Sequence, residues 1–176
     1  MIGAFTLSEL ASELGLSVTL SALKKDATFS AVTTDSRNMS AGDLYVALKG
    51  ERFNGDEFVE EALTKGAVAA VTHQSDAQAD AQRLVVDDTL SALATLARLN
   101  RDRSSAKVIA LTGSQGKTSV KEMIGSILKA KAPTLITAEN LNNTIGVPLT
   151  LLRLEARHEF AVIEMGAGKP GDIEYL

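Results

Sequence analysis

A glycine-containing loop stands between an apolar run, Val108–Leu111, and a segment with helical periodicity, Lys117–Lys131. The loop and the first turn of that helix read Thr112, Gly113, Ser114, Gln115, Gly116, Lys117, Thr118 and Ser119. A buried strand that turns through such a loop into a helix indicates an α/β fold with parallel strands. The same arrangement directs backbone N–H groups and a helix N-terminus at one point, which favours phosphate binding. The sequence therefore predicts a nucleoside triphosphate as the first ligand to consider.

The loop departs from the strict P-loop pattern, because Leu111 occupies the place of its first glycine. The shorter form Gly-x-x-Gly-Lys-Thr remains, from Gly113 to Thr118. In this form we expect Lys117 to reach the terminal phosphates and the Thr118 hydroxyl to stand where a magnesium ligand is needed. The alternative is an ordinary glycine turn that is followed by an exposed lysine.

A carboxylate follows a second apolar strand, because Glu164 comes directly after Phe160–Ile163. Ligands of parallel sheets bind beyond the carboxyl ends of the strands, so Glu164 is expected near Thr118. Mg²⁺ takes one or two carboxylates together with phosphate oxygens. With the loop present, a magnesium ligand is the favoured interpretation, and the alternative is a solvated glutamate that leaves a strand.

An asparagine-rich segment follows the predicted strand Leu135–Thr137 and includes Asn140, Asn142 and Asn143. Its neutral amide groups could orient a polar ligand at the same edge of the sheet. They could equally form a turn that caps the next predicted helix, Val147–Leu154. The residue spacing leaves both interpretations open.

The chain is predicted to hold two α/β regions, with a boundary near Asp87. Residues 1–86 form the first, with strands at 31–34, 44–48, 67–71 and 84–86, helices at 6–14 and 56–65, and a loop or frayed helix at 75–82. Residues 87–176 begin a second, parallel-sheet domain with a long first helix to about Arg103. In the first region, Thr34, Ser36 and Arg37 follow a strand and could bind a diphosphate, or could simply form a turn. Because only three strands are evident downstream, we expect the second domain to be truncated.

Composition excludes several classes of function. The net charge of −4 gives no electrostatic reason to expect binding to nucleic acid or to an anionic membrane. The absence of cysteine excludes disulfides and thiolate chemistry and fits a cytoplasmic protein. No segment is apolar and long enough to indicate a signal peptide or a spanning helix. His73 and His158 lack partners at metal-ligand spacing, so both are expected to be surface residues.

These segments together resemble the Mur ligases of peptidoglycan synthesis, from about Thr6 to the end of the chain. The loop Thr112–Thr118 is similar to the family's nucleotide loop, although Gln115 stands where asparagine or serine is usual. Asn140–Leu152 and Glu164–Ala167 resemble the branch that adds D-alanyl-D-alanine. The sibling that adds the third peptide residue tends to carry paired threonines in the first segment and a serine-rich stretch in the second.

The resemblance implies a small N-terminal α/β UDP-binding domain, followed by the start of a P-loop-type parallel-sheet ATPase domain. It implies an ATP-dependent ligase that joins D-alanyl-D-alanine to UDP-N-acetylmuramoyl-tripeptide through an acyl phosphate. Lys117 and Glu164 would be catalytic, residues 113–119 would hold ATP, and Thr118 and Glu164 would bind Mg²⁺. Asn140 and Asn143 would line the reaction site. The UDP end would be held by Thr34, Ser36, Arg37, Asn54 and Gly55, with Asn54 replacing a commoner aspartate.

Three alternatives remain open at this stage: a sibling ligase that adds a different amino acid, a simple P-loop NTPase, and a nucleotide-sugar-binding fragment without catalysis. The family also needs a carbamylated lysine, a histidine for a second metal and a C-terminal domain for the dipeptide, and none of these lies in this sequence. We therefore expect these 176 residues to be inactive alone. We also expect the protein to be a monomer.

Overall fold

The computed structural model describes residues 1–16, 27–50, 53–73 and 82–176. The chain separates into two compact units, one formed by Gly3–Thr95 and the other by Met1–Ile2 together with Leu96–Leu176. The division runs through a helix, whereas the boundary expected from the sequence lies near Asp87, just before that helix. The assignment of these units to a UDP-binding and an ATP-binding domain stays a prediction.

The unit Gly3–Thr95 contains two sheets. A short antiparallel pair joins β1 (Phe5–Thr6) to β2 (Thr28–Phe29), and a parallel four-stranded sheet has the order β3-β4-β5-β6. The strands of the larger sheet are Val32–Thr33, Leu44–Val46, Ala69–Thr72 and Arg83–Val85, and the helices are α1 (Leu7–Glu13) and α2 (Val59–Thr64). Single 3-10 turns occupy Ser36–Asn38 and Gly55–Phe58.

The other unit is built on a parallel three-stranded sheet with the order β7-β9-β8. Helix α3 (Thr89–Asp102) precedes it in the chain and crosses the division between the units. The strands and the remaining helices are β7 (Lys107–Leu111), α4 (Lys117–Lys129), β8 (Thr134–Ile136), α5 (Gly146–Leu151), β9 (Phe160–Glu164) and α6 (Asp172–Tyr175). The α/β class and the parallel pairing predicted from the sequence are confirmed.

Local chemistry explains where the helices begin and end. The Thr6 hydroxyl accepts a hydrogen bond from the N–H of Glu9 at 3.1 Å, so Thr6 caps α1. Gly66 has a φ of +98° just after α2, which suits glycine at a helix end. Asn100 in α3 is buried, and its amide accepts from the N–H of Ile2 and donates to the carbonyls of Leu151 and Leu154. These hydrogen bonds offset the unfavourable free energy of burying the amide group.

Some boundaries differ from those expected. The helix predicted at 56–65 begins as the 3-10 turn Gly55–Phe58, because the Asn54 side chain accepts from the N–H of Asp56 and sets a tighter first turn. The strand predicted at 67–71 is found at Ala69–Thr72. The loop or frayed helix predicted at 75–82 lies, except for Gln82, outside the described residues. In the described part of the chain, every helix is too short or too polar to cross a membrane.

Candidate functional site

The carboxyl ends of the three strands in the second sheet meet at one edge. In the parallel register, Leu111 at the end of β7 pairs with Glu164 at the end of β9, and Ile136 at the end of β8 pairs with Val162. The backbone extends this alignment by one step, because the N–H of Met165 donates to the carbonyl of Leu111 at 2.8 Å. The glycine loop, the acidic residue and the asparagine-rich segment therefore leave the sheet side by side, as ligand sites in parallel sheets do.

The glycine loop ends in a left-handed residue that begins a helix. Gly116 has a φ of +74° and is the N-cap of α4, and Gly113 has a φ of +153°. Both conformations favour glycine, and they turn the chain so that Lys117 opens a 13-residue helix. The Lys117 ammonium donates to the carbonyl of Gly113 at 2.7 Å, so the side chain folds back over its own loop. This geometry gives a helix N-terminus and a cation on the exposed side of the sheet edge.

Glu164 is almost fully buried, with 2% of its surface exposed, yet both of its carboxylate oxygens accept hydrogen bonds. The Thr118 hydroxyl donates to Oε2 at 3.1 Å, and the Asn142 amide donates to Oε1 at 2.8 Å. The N–H of Glu164 donates to the Thr137 hydroxyl at 2.9 Å, which fixes the backbone at the end of the strand. The expected neighbourhood of Thr118 and Glu164 is therefore observed, and the alternative of a solvated glutamate is wrong.

Lys121 is a buried lysine beside this carboxylate, and sequence reasoning did not single it out. Its side chain is 1% exposed, and its ammonium lies 3.8 Å from Oε2 of Glu164 and 3.2 Å from Oε1 of the exposed Glu122. Lys121 follows Lys117 by four residues, so both project from neighbouring turns of α4. That spacing is the one signal in the sequence that could have suggested a second lysine at the site.

The asparagines of the asparagine-rich segment make different contacts from those expected. Asn143 lies just before α5, and its side-chain oxygen accepts from the N–H groups of Ile145, the N-cap residue, and Gly146 at 3.1 and 2.8 Å. Asn140 lies exposed in the preceding turn, where its carbonyl accepts from the N–H of Asn142. The structure therefore brings Asn142, rather than Asn140 or Asn143, into contact with Glu164. The roles of Asn140 and Asn143 in lining a reaction site stay predictions.

The residues at this edge suit a magnesium ion that arrives with a nucleotide. They offer a carboxylate from Glu164 and a hydroxyl from Thr118, which are the oxygen ligands that Mg²⁺ takes. Across residues 1–16, 27–50, 53–73 and 82–176, no three or more His, Cys, Asp or Glu side chains cluster as a metal site. A protein with so few ligands needs phosphate oxygens to complete an octahedral ion.

A second candidate site lies in the unit Gly3–Thr95, where a cavity of about 500 Å³ opens beside the end of β3. Its lining includes three of the five residues expected to hold a UDP group, Thr34, Ser36 and Arg37, and four others, Asp35, Tyr45, Phe53 and Phe58. Asn54 and Gly55 are not among the lining residues. Gly55 instead packs so closely that an added Cβ would lie 2.7 Å from the carbonyl oxygen of Leu48.

Asp35 and Arg37, which both line this cavity, form a bidentate ion pair. The guanidinium donates through Nε and one terminal nitrogen to the two carboxylate oxygens, both at 2.8 Å. The same carboxylate accepts from the N–H of Arg37 and from the Asn38 amide. Arg37 is 82% exposed, so its cation remains available to an anion in the cavity.

This pair predicts a pH dependence. The hydrogen bond from the Arg37 side chain, followed by that from its backbone N–H, holds the pKa of Asp35 well below its ordinary value of 3.8. A carboxyl group whose pKa is lower in the folded state stabilises the fold at pH values above its unfolded-state pKa. That contribution is lost as the pH falls through the folded-state pKa. Titration followed by carboxyl-carbon NMR is expected to find Asp35 ionised at pH 3.8, and Arg37→Ala is expected to return its pKa toward that value.

Asp172 is the matched control for this titration. Its pKa is lowered by the N–H groups of Gly168 and Lys169 rather than by an arginine, so Arg37→Ala should leave it unchanged. An Asp35 that titrates at its ordinary value in the unsubstituted chain contradicts the pairing.

The two histidines differ from the expectation of surface residues. His158 is buried, its Nδ1 accepts from the N–H of Glu155 at 3.0 Å, and burial lowers its pKa. The N–H of His73 donates to the buried carboxylate of Asp56, and its Nδ1 lies 3.4 Å from the other oxygen of that carboxylate. Sequence spacing missed both contacts because the partner of His73 lies 17 residues away and that of His158 is a backbone group.

Two family models match most of the chain, in two separate parts. A model described as "Mur ligase family, catalytic domain" matches residues 28–101, and one described as "Mur ligase middle domain" matches residues 111–176. The UDP-N-acetylmuramoyl-tripeptide–D-alanyl-D-alanine ligase of Escherichia coli strain K12 is 49% identical over 150 residues. That alignment covers 85% of this chain and 33% of the relative, so the chain spans about a third of the relative's length.

Solved structures agree with the sequence comparison. A crystal structure of MurF from Acinetobacter baumannii matches with a TM-score of 0.85 and 39% identity, over 99% of this chain and 38% of that one. MurF ligase from Thermotoga maritima in complex with ADP matches with a TM-score of 0.76 and 34% identity, over 90% of this chain and 35% of that one. With its parallel sheets, its glycine loop and its buried acid at the sheet edge, the chain belongs to the Mur ligase family.

Proposed function

We propose that the protein to which this sequence belongs is an ATP-dependent ligase that joins D-alanyl-D-alanine to UDP-N-acetylmuramoyl-tripeptide. The tripeptide carboxylate would accept the γ-phosphoryl group, and ADP would leave. The dipeptide amine would then attack the activated carbonyl, and phosphate would leave as the amine loses a proton. The names and the identity of the relatives support this substrate pair. A cytoplasmic location and a monomeric state belong to the same proposal, and the absence of cysteine supports the former.

The observation that carries the proposal is the convergence of the glycine loop and Glu164 at one sheet edge. The N-terminus of α4 and the Lys117 ammonium would hold the triphosphate, and Thr118 and Glu164 would bind Mg²⁺. Mg²⁺, when bound, would offset the charge of the phosphate oxygens. Asn142 would keep the Glu164 carboxylate in position before any ligand arrives, and Thr137 would hold the Glu164 backbone.

Each of the two units would bind one of the nucleotide substrates. The cavity at Arg37 would take the UDP end of the muramyl substrate, and the loop at Lys117 would take ATP. An exposed guanidinium and an exposed helix N-terminus are both suited to phosphate oxygens. A chain with both features is expected to bind two different nucleotides, whereas a simple P-loop NTPase needs only one site.

Lys117→Ala is expected to weaken binding of a non-hydrolysable ATP analogue with Mg²⁺ by about a hundredfold, because it removes the cation nearest the loop. Calorimetric titration of the 176-residue chain measures this effect. Lys129→Ala is the matched control, since it removes an exposed lysine from the last turn of the same helix and should leave the affinity unchanged. Equal losses in both variants would indicate general charge attraction rather than a phosphate site.

The same titration with UDP-N-acetylmuramoyl-tripeptide tests the substrate assignment. Binding that is weakened by Arg37→Ala supports the ligase. Binding of the ATP analogue without binding of the muramyl nucleotide favours the simple NTPase. Preference for a muramyl nucleotide with a shorter peptide favours a sibling ligase. We still expect no ligation by these 176 residues alone, and amide formation by them would refute that expectation.

A further inference from the structure

The cavity in the unit Gly3–Thr95 contains an aromatic pair that the proposed function has not used. Phe53 and Phe58 stack with ring centroids 5.6 Å apart and planes inclined by 10°. Phe58 packs against the buried core cluster that includes Tyr45, whereas Phe53 is 50% exposed. One face of the Phe53 ring therefore lies on an anchored neighbour, and the half-exposed ring lines the cavity.

The backbone around Phe53 holds this ring in a defined place. The N–H of Gly50 donates to the carbonyl of Phe53 at 2.8 Å, and Lys49 and Asn54 form an antiparallel bridge. Gly55 follows, with its N–H donating to the carbonyl of Leu48 and its own carbonyl accepting from the hydroxyl of Tyr45 at 3.0 Å. Burial raises the pKa of Tyr45 to about 12, so its hydroxyl remains a donor at physiological pH.

The cavity offers two kinds of chemistry. Arg37 supplies a cation that is already paired with Asp35, and Phe53 supplies a half-exposed aromatic ring. A ligand that needs both carries phosphates and a planar ring, which describes a nucleotide. The volume of about 500 Å³ lies within the range of small-molecule sites.

We propose that Phe53 is the stacking platform for the base of a uridine nucleotide whose phosphates lie toward Arg37. This proposal rests on the proposed function for the identity of the base, and on the aromatic pair for its position. A base has a π-face whatever its hydrogen-bonding edge, so stacking supplies affinity without a directional polar partner. Phe58 acts through Phe53, because the two rings stack and Phe58 is packed on the core cluster.

Titration of the chain with UDP tests the platform. The chain carries Lys117→Ala in every sample, so that the diphosphate does not bind at the glycine loop. Phe53→Leu keeps an apolar side chain but removes the ring, and it is expected to weaken UDP binding by about tenfold. Phe53→Tyr keeps the ring and should retain the affinity. Phe160→Leu, in the other unit, is the matched control and should also retain it.

Proton NMR of the uracil ring provides a readout that a merely structural residue would not move. The H5 and H6 protons of bound UDP are expected to shift upfield in the chain that retains Phe53 and not in the Phe53→Leu variant. UDP that binds equally to both chains, with unshifted uracil protons, overturns the platform and leaves the proposed function intact. A chain that retains Phe53 yet binds neither UDP nor UDP-N-acetylmuramoyl-tripeptide overturns both.

Discussion

Glu164→Leu is expected to lower the free energy of unfolding by about 3–5 kcal/mol, which is the cost of removing one partner from a buried ion pair. The substitution leaves the Lys121 ammonium buried and removes the acceptor for the side chains of Thr118 and Asn142. Urea unfolding of the 176-residue chain measures the loss. Lys121→Met in the same chain should recover much of it, because the double variant leaves neither charge buried and unpaired.

Glu122→Leu is the control, because Glu122 is the other carboxylate near Lys121. Its oxygen lies 3.2 Å from the ammonium, closer than that of Glu164, but its side chain is 61% exposed. Exposed pairs contribute at most about 1 kcal/mol, so this variant should be almost neutral. Equal losses of unfolding free energy for Glu164→Leu and Glu122→Leu would contradict the prediction. So would a double variant whose loss is the sum of the losses at Glu164 and Lys121, because the two residues would then be energetically independent.

Gly146→Ala is expected to cost about 3 kcal/mol, at the upper end of the range for an overpacked interior. A Cβ at Gly146 would lie 2.4 Å from both Cα and the carbonyl carbon of Leu141. These are backbone atoms, so no side-chain rotation relieves the contact. The turn must shift, and Asn142 is the residue that follows Leu141 in it. The substitution should therefore also weaken binding of the Mg²⁺-bound ATP analogue, because Asn142 holds the Glu164 carboxylate.

Gly171→Ala separates steric contact from backbone conformation. Gly171 has a φ of +91°, but an added Cβ would meet nothing within 4 Å. Its cost should be about 1 kcal/mol, the strain of a left-handed alanine, and nucleotide binding should not change. Thermal unfolding and the calorimetric titration compare the two variants directly. A loss at Gly146 no larger than at Gly171 would show that the turn absorbs a methyl group freely.

The sequence predicted the parts of the site that depend on strand ends. Thr118 and Glu164 follow separate strands, and their contact was foreseeable because parallel strands end at one edge. The sequence could not single out Asn142 among the asparagines, because its contact with Glu164 depends on the turn in which the Asn143 side chain binds the N–H groups at the start of α5. Lys121 was missed because a lysine in a helix is normally on the exposed face.

The small sheet was missed for a different reason. Strands of two residues, such as Phe5–Thr6 and Thr28–Phe29, are too short to show the alternation that identifies a strand. They are held by partners distant in the sequence, including the stacked rings of Phe5 and Phe29 with centroids 5.8 Å apart. Phe53 illustrates the same difficulty, since its stacking depends on the position of Phe58 rather than on any pattern along the chain.

Because Leu111 pairs with Glu164, the position of the Glu164 carboxylate depends on the register of strands β7 and β9. A strand that slips by one residue turns every side chain to the other face. Glu164 would then lose Thr118 and Asn142 together, although none of the three had changed. Substitutions in the middle of Phe160–Glu164 that preserve its apolar character but weaken its pairing would thus dismantle the Glu164 contacts without touching any of their side chains. Sequence changes in this strand are constrained by alignment as well as by hydrophobicity.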